Sequence, residues 1–153
     1  MTSLSCKVIE KLQGRTLVTA ESCTGGGIGA ALTAVSGSSA VFKGGIISYT
    51  NWVKKSVLQV DTKLLDERGA VSAPVAQQMA KGARELLQAD VAVSVTGLAG
   101  PGGDEYGNPA GTVYIGYCDA QKLKSFAYRF CGDREAVRNQ AITAALQVIL
   151  HEA

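Results

Sequence analysis

Apolar residues along this chain alternate between helical spacing and short buried runs, so helices interleaved with strands are predicted. Leu4, Val8 and Leu12 stand at helical spacing ahead of Gly14 and predict a short opening helix. The β-branched run Thr16-Leu17-Val18-Thr19-Ala20 predicts the first strand, and the small and apolar residues from Ile28 through Val35 predict the helix after it. Val41 to Tyr49 is aromatic and β-branched around Gly44-Gly45, which reads as a strand with a bulge or bend at the glycines. Thr50 or Asn51 caps a short helix through Leu58. Ser72, with Pro74 in the first turn, opens another helix to about Leu87, with Val75, Met79, Ala83 and Leu86 on its inner face. Val91 to Thr96 reads as a buried strand, followed by a glycine-rich loop from Gly97 to Pro109. Thr112 to Cys118 and Lys124 to Phe130 predict two more strands, antiparallel because the Asp119 to Leu123 segment between them is short. Asp133 then caps a last helix with Val137, Ala141, Ala144 and Val148 inward.

This order of elements predicts a single three-layer α/β/α domain over residues 1–153, with a mixed, mostly parallel sheet. A chain of 153 residues with 46% hydrophobic content supports one real core, and neither a repeat nor a linker divides it. No apolar run approaches the roughly 20 residues of a membrane helix. Met1 to Lys7 lacks a signal-peptide pattern, so a cytoplasmic location without a membrane partner is expected. The net charge of +2 comes with scattered basic residues, which argues against a nucleic-acid partner. Cys6, Cys23, Cys118 and Cys131 form no Cys-x-x-Cys pair and His151 is the only histidine, so reduced thiols and no metal site are expected.

Candidate chemistry concentrates where the first strand turns into a helix, at Glu21-Ser22-Cys23-Thr24-Gly25-Gly26-Gly27. Ser22 offers a hydroxyl and Cys23 a thiol. Glycine lets the backbone approach a ligand, and the helix's first amides lack partners within it, so this turn can hold an anion or a developing oxyanion. The plainer reading makes Ser22 a helix cap. A Ser-His-Asp triad is improbable with His151 near the C-terminus. Lysine can replace histidine when burial favours its neutral form, and Lys54 and Lys55 follow the strand end at Tyr49. Between Glu21 and Asp61 the chain has no acidic residue, so local sequence provides no carboxylate to keep a lysine protonated. Tyr49 is a candidate proton relay beside them. Thr96 and the glycines Gly97, Gly100 and Gly102 can supply donors to a phosphate or oxyanion. Arg134 and Arg138, one turn apart at a helix start, can add charge to such an anion site. The rival G-x-G-x-x-A dinucleotide pattern, Gly25 to Ala30, lacks the acidic residue expected some 20 positions on, because Ile46 to Thr50 contains none.

Taken together, Glu21-Ser22-Cys23-Thr24-Gly25-Gly26, Tyr49-Thr50-Asn51 with Lys54, Gly69-Ala70-Val71-Ser72, Thr96 to Gly103, and Gly132-Asp133-Arg134 with Arg138 resemble the CinA C-terminal-domain family. These blocks occur in order over nearly the whole chain. The resemblance implies a compact α/β/α domain standing without the larger N-terminal domain of full-length members. It also implies nicotinamide-nucleotide amidase activity: hydrolysis of nicotinamide mononucleotide to nicotinic acid mononucleotide and ammonia, with no cofactor. By the same resemblance Ser22 is the nucleophile and Lys54 its base, with Tyr49 and Thr96 beside them. Backbone from Cys23 and Thr24 to Gly25 and Gly26, with Gly97, Gly100, Gly102 and Arg134 or Arg138, would bind the nucleotide.

The chain departs from the family pattern at Asn108-Pro109-Ala110-Gly111, where members often have Lys-Pro-Val-Gly, and at Trp52-Val53, commonly Glu-Ala. The absent lysine removes a candidate phosphate or ribose partner. Two alternatives stand beside the Ser-Lys amidase: Cys23 as the nucleophile toward another amide, and a non-catalytic or weakly active nucleotide-binding homologue. A homo-oligomer is expected.

Overall fold

β1 (Leu17–Glu21) is buried along its whole length and β3 (Val91–Gly97) almost so, because both lie inside the sheet and are covered on two faces. β2 (Phe42–Ile47) and β5 (Leu123–Arg129) show alternating or partial exposure and form the two edges. With β4 (Thr112–Cys118) the strands take the order β2-β1-β3-β4-β5. β1 pairs in parallel with β2 and β3, whereas β4 is antiparallel to both β3 and β5. The sheet is therefore mixed, with β4 alone running against the other strands. The computed structural model describes residues 2–153; Met1 lies outside them.

Among the described residues six α-helices accompany the sheet: α1 (Thr2–Lys11), α2 (Gly27–Thr33), α3 (Asn51–Ser56), α4 (Thr62–Arg68), α5 (Ala73–Leu87) and α6 (Arg134–Glu152). One core layer joins Leu17, Val91, Val93 and Val95 to side chains of α1, α2 and α6. The other joins Val18, Ala20 and Ala92 to Val75, Met79 and Ala83 of α5 and to Leu58 and Leu65 around α3 and α4. On this second face the sheet carries small residues, and α5 sits close to it. A Cβ at Gly116 would run into the Ala76 carbonyl, which also accepts the Ser94 hydroxyl. Val137, Ala141, Ala144 and Val148 of α6 face inward as expected.

Four details differ from the sequence expectations. Leu86 is exposed rather than inward, because the buried stripe of α5 runs through Ala76, Ala80 and Ala83 to Leu87. α3 ends at Ser56, and Leu58 follows in a turn, with its carbonyl where a Cβ at Gly82 would fall. α4 was not expected; its capping signals are present in Asp61, whose carboxylate accepts from Lys63 N, and in Gly69 at its end. The irregular pairing of β2 falls at Lys43 rather than at Gly44-Gly45, since Leu17 pairs with Phe42, Val18 with Gly44 and Thr19 with Gly45.

The connection from β1 to β2 crosses the α1/α2/α6 face, and that from β2 to β3 crosses the α5 face. From their carboxyl ends β1 leads toward β2 on one side and β3 toward β4 on the other, so the chain diverges between these two neighbouring strands, the position where open α/β sheets form binding clefts.

Candidate active site

Ser22 is the first residue beyond β1, and its N–H extends the sheet by donating to Val95 O at 3.0 Å. The chain then turns sharply. Gly25 N donates to Ser22 O and Gly27 N to Thr24 O, with Gly25 and Gly26 at φ of +59° and +98°, a region that disfavours side chains. Glu21, buried beneath the turn, holds it to the helix. Its carboxylate accepts from Thr24 Oγ1 at 2.6 Å, Ile28 N at 2.8 Å, Gly29 N at 3.0 Å and Thr19 Oγ1 at 3.3 Å. The first amides of α2, expected to be free for a ligand anion, are thus taken by the protein's own carboxylate. The unengaged donors lie in the turn itself: the N–H groups of Cys23, Thr24 and Gly26 find no acceptor on another described residue, and of these three residues Cys23 alone lines the cavity beside Ser22.

Lys54 approaches Ser22 from α3. Thr50 caps that helix by accepting from Val53 N, and Lys54 one turn later is only 1% exposed. Its Nζ lies 2.7 Å from Ser48 O, 3.2 Å from Tyr49 O and 3.0 Å from Ser22 Oγ. No carboxylate among the described residues pairs with it. Desolvation lowers its pKa from 10.5 to about 8. A neutral amine has two N–H bonds and one lone pair. With both N–H bonds directed to the two carbonyls, the lone pair is left facing the Ser22 hydroxyl.

Above this pair opens a cavity of about 340 Å³. Ser22, Cys23, Lys54, Tyr49 and Thr96 contribute to its wall, with Gly97, Gly100 and Gly102 on one side and Arg134 at the rim. Thr96 Oγ1 donates to Ala70 O at 2.8 Å, tying β3 to the segment between α4 and α5. Tyr49 reaches the cavity, but its hydroxyl makes no hydrogen bond to Ser22 or Lys54. The side chain is 59% exposed and its oxygen accepts from Arg134 Nη2 at 3.3 Å. Arg134 Nη1 also donates to Gly100 O at 2.7 Å, so its guanidinium links the two sides of the mouth.

Thr24, Gly25, Gly26 and Arg138 are not brought to the cavity wall. Thr24 turns its hydroxyl to Glu21, and a Cβ at Gly26 would face Ile47. Arg138 grips the turn from α6, with Nε 3.0 Å from Cys23 O and Nη2 3.2 Å from Thr24 O. The Cys23 thiol packs in the core with Ile28, Val137 and Ile142, and burial pushes its pKa up to about 11.

Ala70 and Val71 line the cavity although sequence reasoning gave them no role. Gly69 and the cap at Ser72 were the available signal, since together they force a loop between two helices. The glycine-rich loop is a fastened wall rather than a free strand of chain. Asn108 Nδ2 donates to Asp104 Oδ2 at 2.9 Å and to Val71 O at 3.3 Å, and Tyr106 OH donates to Asp66 O at 3.0 Å. Asn108 therefore serves the wall and not the cavity. No helix among the described residues is long and apolar enough to cross a membrane, and no cluster of three or more His, Cys, Asp or Glu is arranged for a metal ion.

A hydroxyl paired with a buried lysine at the carboxyl ends of parallel strands defines a single α/β domain with a preformed site. The chain belongs to the CinA family: the family model described as the CinA C-terminal domain matches residues 1–153. A CinA-like protein of Synechococcus sp. (strain RCC307) is 47% identical over 152 residues, covering 96% of this chain and 36% of that protein. A CinA-like protein of Rippkaea orientalis (strain PCC 8801 / RF-1) is 50% identical over 137 residues, covering 88% and 33%. The chain thus spans about a third of the length of these curated relatives. Among solved structures, the competence damage-inducible protein A (ComA) from Klebsiella pneumoniae superposes with a TM-score of 0.96 at 37% identity, covering 99% of this chain and 95% of that one. The competence/damage inducible protein CihA from Agrobacterium tumefaciens gives 0.94 at 38% identity, covering 98% and 93%.

Proposed function

We propose that the protein is a nicotinamide-nucleotide amidase, converting the carboxamide of nicotinamide mononucleotide to the carboxylate of nicotinic acid mononucleotide with release of ammonia. The observation that carries this reading is the 3.0 Å approach of Lys54 Nζ to Ser22 Oγ, with two carbonyls holding the amine. Membership of the CinA family and an arginine without a carboxylate partner at the rim of the cavity support the choice of a phosphorylated amide.

Neutral Lys54 accepts the Ser22 proton as Oγ bonds to the carboxamide carbon. The Cys23 N–H, on the cavity wall and without an acceptor on another residue, is the donor available to the resulting oxyanion. The Lys54 ammonium then gives its proton to the amide nitrogen, the C–N bond breaks and ammonia leaves an acyl-Ser22. Water attacks that ester while Lys54 takes its proton, and the same proton returns to Ser22 Oγ as the acid departs. Each proton taken by Lys54 is handed back within one turnover. Arg134 would meet the phosphate at the mouth, where displacing it from Gly100 O and Tyr49 OH costs two hydrogen bonds to neutral groups and gains charged ones.

Thiol catalysis by Cys23 has less support: the thiol is 6% exposed and held protonated by burial. The test is direct incubation of the purified protein with nicotinamide mononucleotide, following ammonia and nicotinic acid mononucleotide. The activity is expected in the parent and absent in Ser22→Ala. No product from the parent, or undiminished product from the variant, rejects the reading.

A further inference from the structure

Arg138 stands one helical turn beyond Arg134, yet it does not face the cavity. Its guanidinium lies against the two peptide carbonyls that follow the candidate nucleophile, Cys23 O at 3.0 Å and Thr24 O at 3.2 Å. A peptide unit is planar and trans, so fixing its carbonyl fixes the direction of the N–H on the same unit. The Cys23 carbonyl shares its plane with the N–H of the buried Thr24, so fixing it fixes the turn directly behind Cys23. The Thr24 carbonyl shares its plane with the Gly25 N–H, which closes the turn on Ser22 O. One side chain therefore sets two successive planes, and the second of them also holds the Ser22 carbonyl and with it the direction of the Cys23 N–H.

The other side of the turn is held by Glu21, through Thr24 Oγ1 and the first amides of α2. A flexible Gly25-Gly26 pair at positive φ would otherwise leave these planes free to rotate. Arg138 has no carboxylate within ion-pair distance among the described residues, so its charge is balanced chiefly by the carbonyl dipoles it holds and adds positive potential beside Ser22.

We infer that Arg138 is a positioning residue, which aims the Cys23 amide as an oxyanion donor through the carbonyls of the Ser22 turn, and is not a phosphate ligand. This inference rests on Ser22 being the nucleophile. It assigns different work to two arginines of the same helix: Arg134 recognises the anionic end of the substrate, and Arg138 aims the donor at the reacting carbon.

The experiment has two arms. In the first, Ser22 is labelled by a fluorophosphonate, whose phosphonyl oxygen needs the same donor and which carries no nucleotide. Arg138→Lys, which keeps the charge, and Arg138→Gln, which keeps one donor for Cys23 O, are compared with the parent after circular dichroism confirms folding. Labelling is expected to slow by about 10²-fold in both variants, the size of an oxyanion-donor loss. Parent-rate labelling in either folded variant overturns the inference while leaving Ser22 as nucleophile. An unlabelled parent overturns both.

In the second arm, ammonia release is measured from nicotinamide mononucleotide and from the unphosphorylated riboside. For Arg138→Lys, kcat falls by the same factor on both compounds and KM for the mononucleotide stays within about threefold. A rise in KM confined to the phosphorylated compound would make Arg138 a phosphate ligand and overturn the inference.

Discussion

Lys54 Nζ lies 3.0 Å from Ser22 Oγ although 32 positions separate the two residues in the chain. Parallel pairing of β1 with β2 brings them together. Glu21 is in register with Ile47, so Ser22 and Ser48 leave the sheet side by side, with Ser48 N donating to Glu21 O at 2.7 Å. α3 begins three residues later and returns Lys54 over the Ser48 carbonyl. The amine therefore depends on two strand ends for its location and on burial for its charge state.

Activity should rise with pH. Only the neutral amine accepts the Ser22 proton, and its pKa of about 8 leaves roughly a tenth of the protein competent at pH 7. We expect kcat/KM to climb about tenfold per pH unit below that value and to level above it. Lys54→Arg, permanently charged, should be inactive across the range. A flat profile between pH 6 and 10 would remove Lys54 as the base.

The same burial should cost stability at neutral pH. Folding lowers the Lys54 pKa from 10.5 to about 8, so the unfolded chain binds the extra proton and stability rises as pH climbs between those values, by up to about 3 kcal/mol. Lys54→Met removes this dependence, at the expense of the hydrogen bonds to Ser48 O and Tyr49 O. The difference in unfolding free energy between variant and parent should therefore shift toward the parent from pH 8 to 10.5, as urea titrations at each pH would show. A constant difference would mean that the buried amine is not neutral.

Arg134→Ala should raise KM for a phosphorylated substrate by about tenfold or more and leave kcat within a few-fold. The guanidinium is exposed, so added salt should weaken binding by the parent and have little effect on the variant. Steady-state kinetics at two ionic strengths would check this. An unchanged KM would move anion recognition elsewhere in the cavity.

Cys23→Ala should retain ammonia release, and iodoacetamide should modify Cys131 well before Cys23. Cys131 is exposed, whereas Cys23 packs in the core with its thiol kept protonated by burial. Peptide mapping of the alkylated protein follows the order. Loss of activity in step with Cys23 labelling, with Ser22→Ala still active, would transfer the nucleophile to the thiol.

The strands and long helices were legible because their burial follows sequence period: Val91, Val93 and Val95 face one layer while Ala92 faces the other. α4 was not, because Leu64 and Leu65 are too few to set a helical stripe; its caps at Asp61 and Gly69 were the clearer signs. The acid-free stretch between Glu21 and Asp61 pointed to a lysine without a carboxylate partner, but it left Lys54 and Lys55 equal; the family resemblance selected Lys54, whose Nζ lies 3.0 Å from Ser22 Oγ. Local sequence could not separate Arg134 from Arg138. Their partners, Gly100 O and Tyr49 OH for one and Cys23 O and Thr24 O for the other, lie 34 to 115 positions away. Asn108 was likewise unreadable as a wall residue, since Val71, which it holds, is brought near only by the loop's return.

Glu21 gives the free protein an anion of its own at the start of α2. A turn that borrowed its negative partner from the substrate would collapse or wander between catalytic cycles, and each binding event would have to rebuild it. Here the start of α2 is satisfied by the chain's own carboxylate. Incoming substrate meets a rigid mould, and its affinity is spent on recognition rather than on ordering the chain.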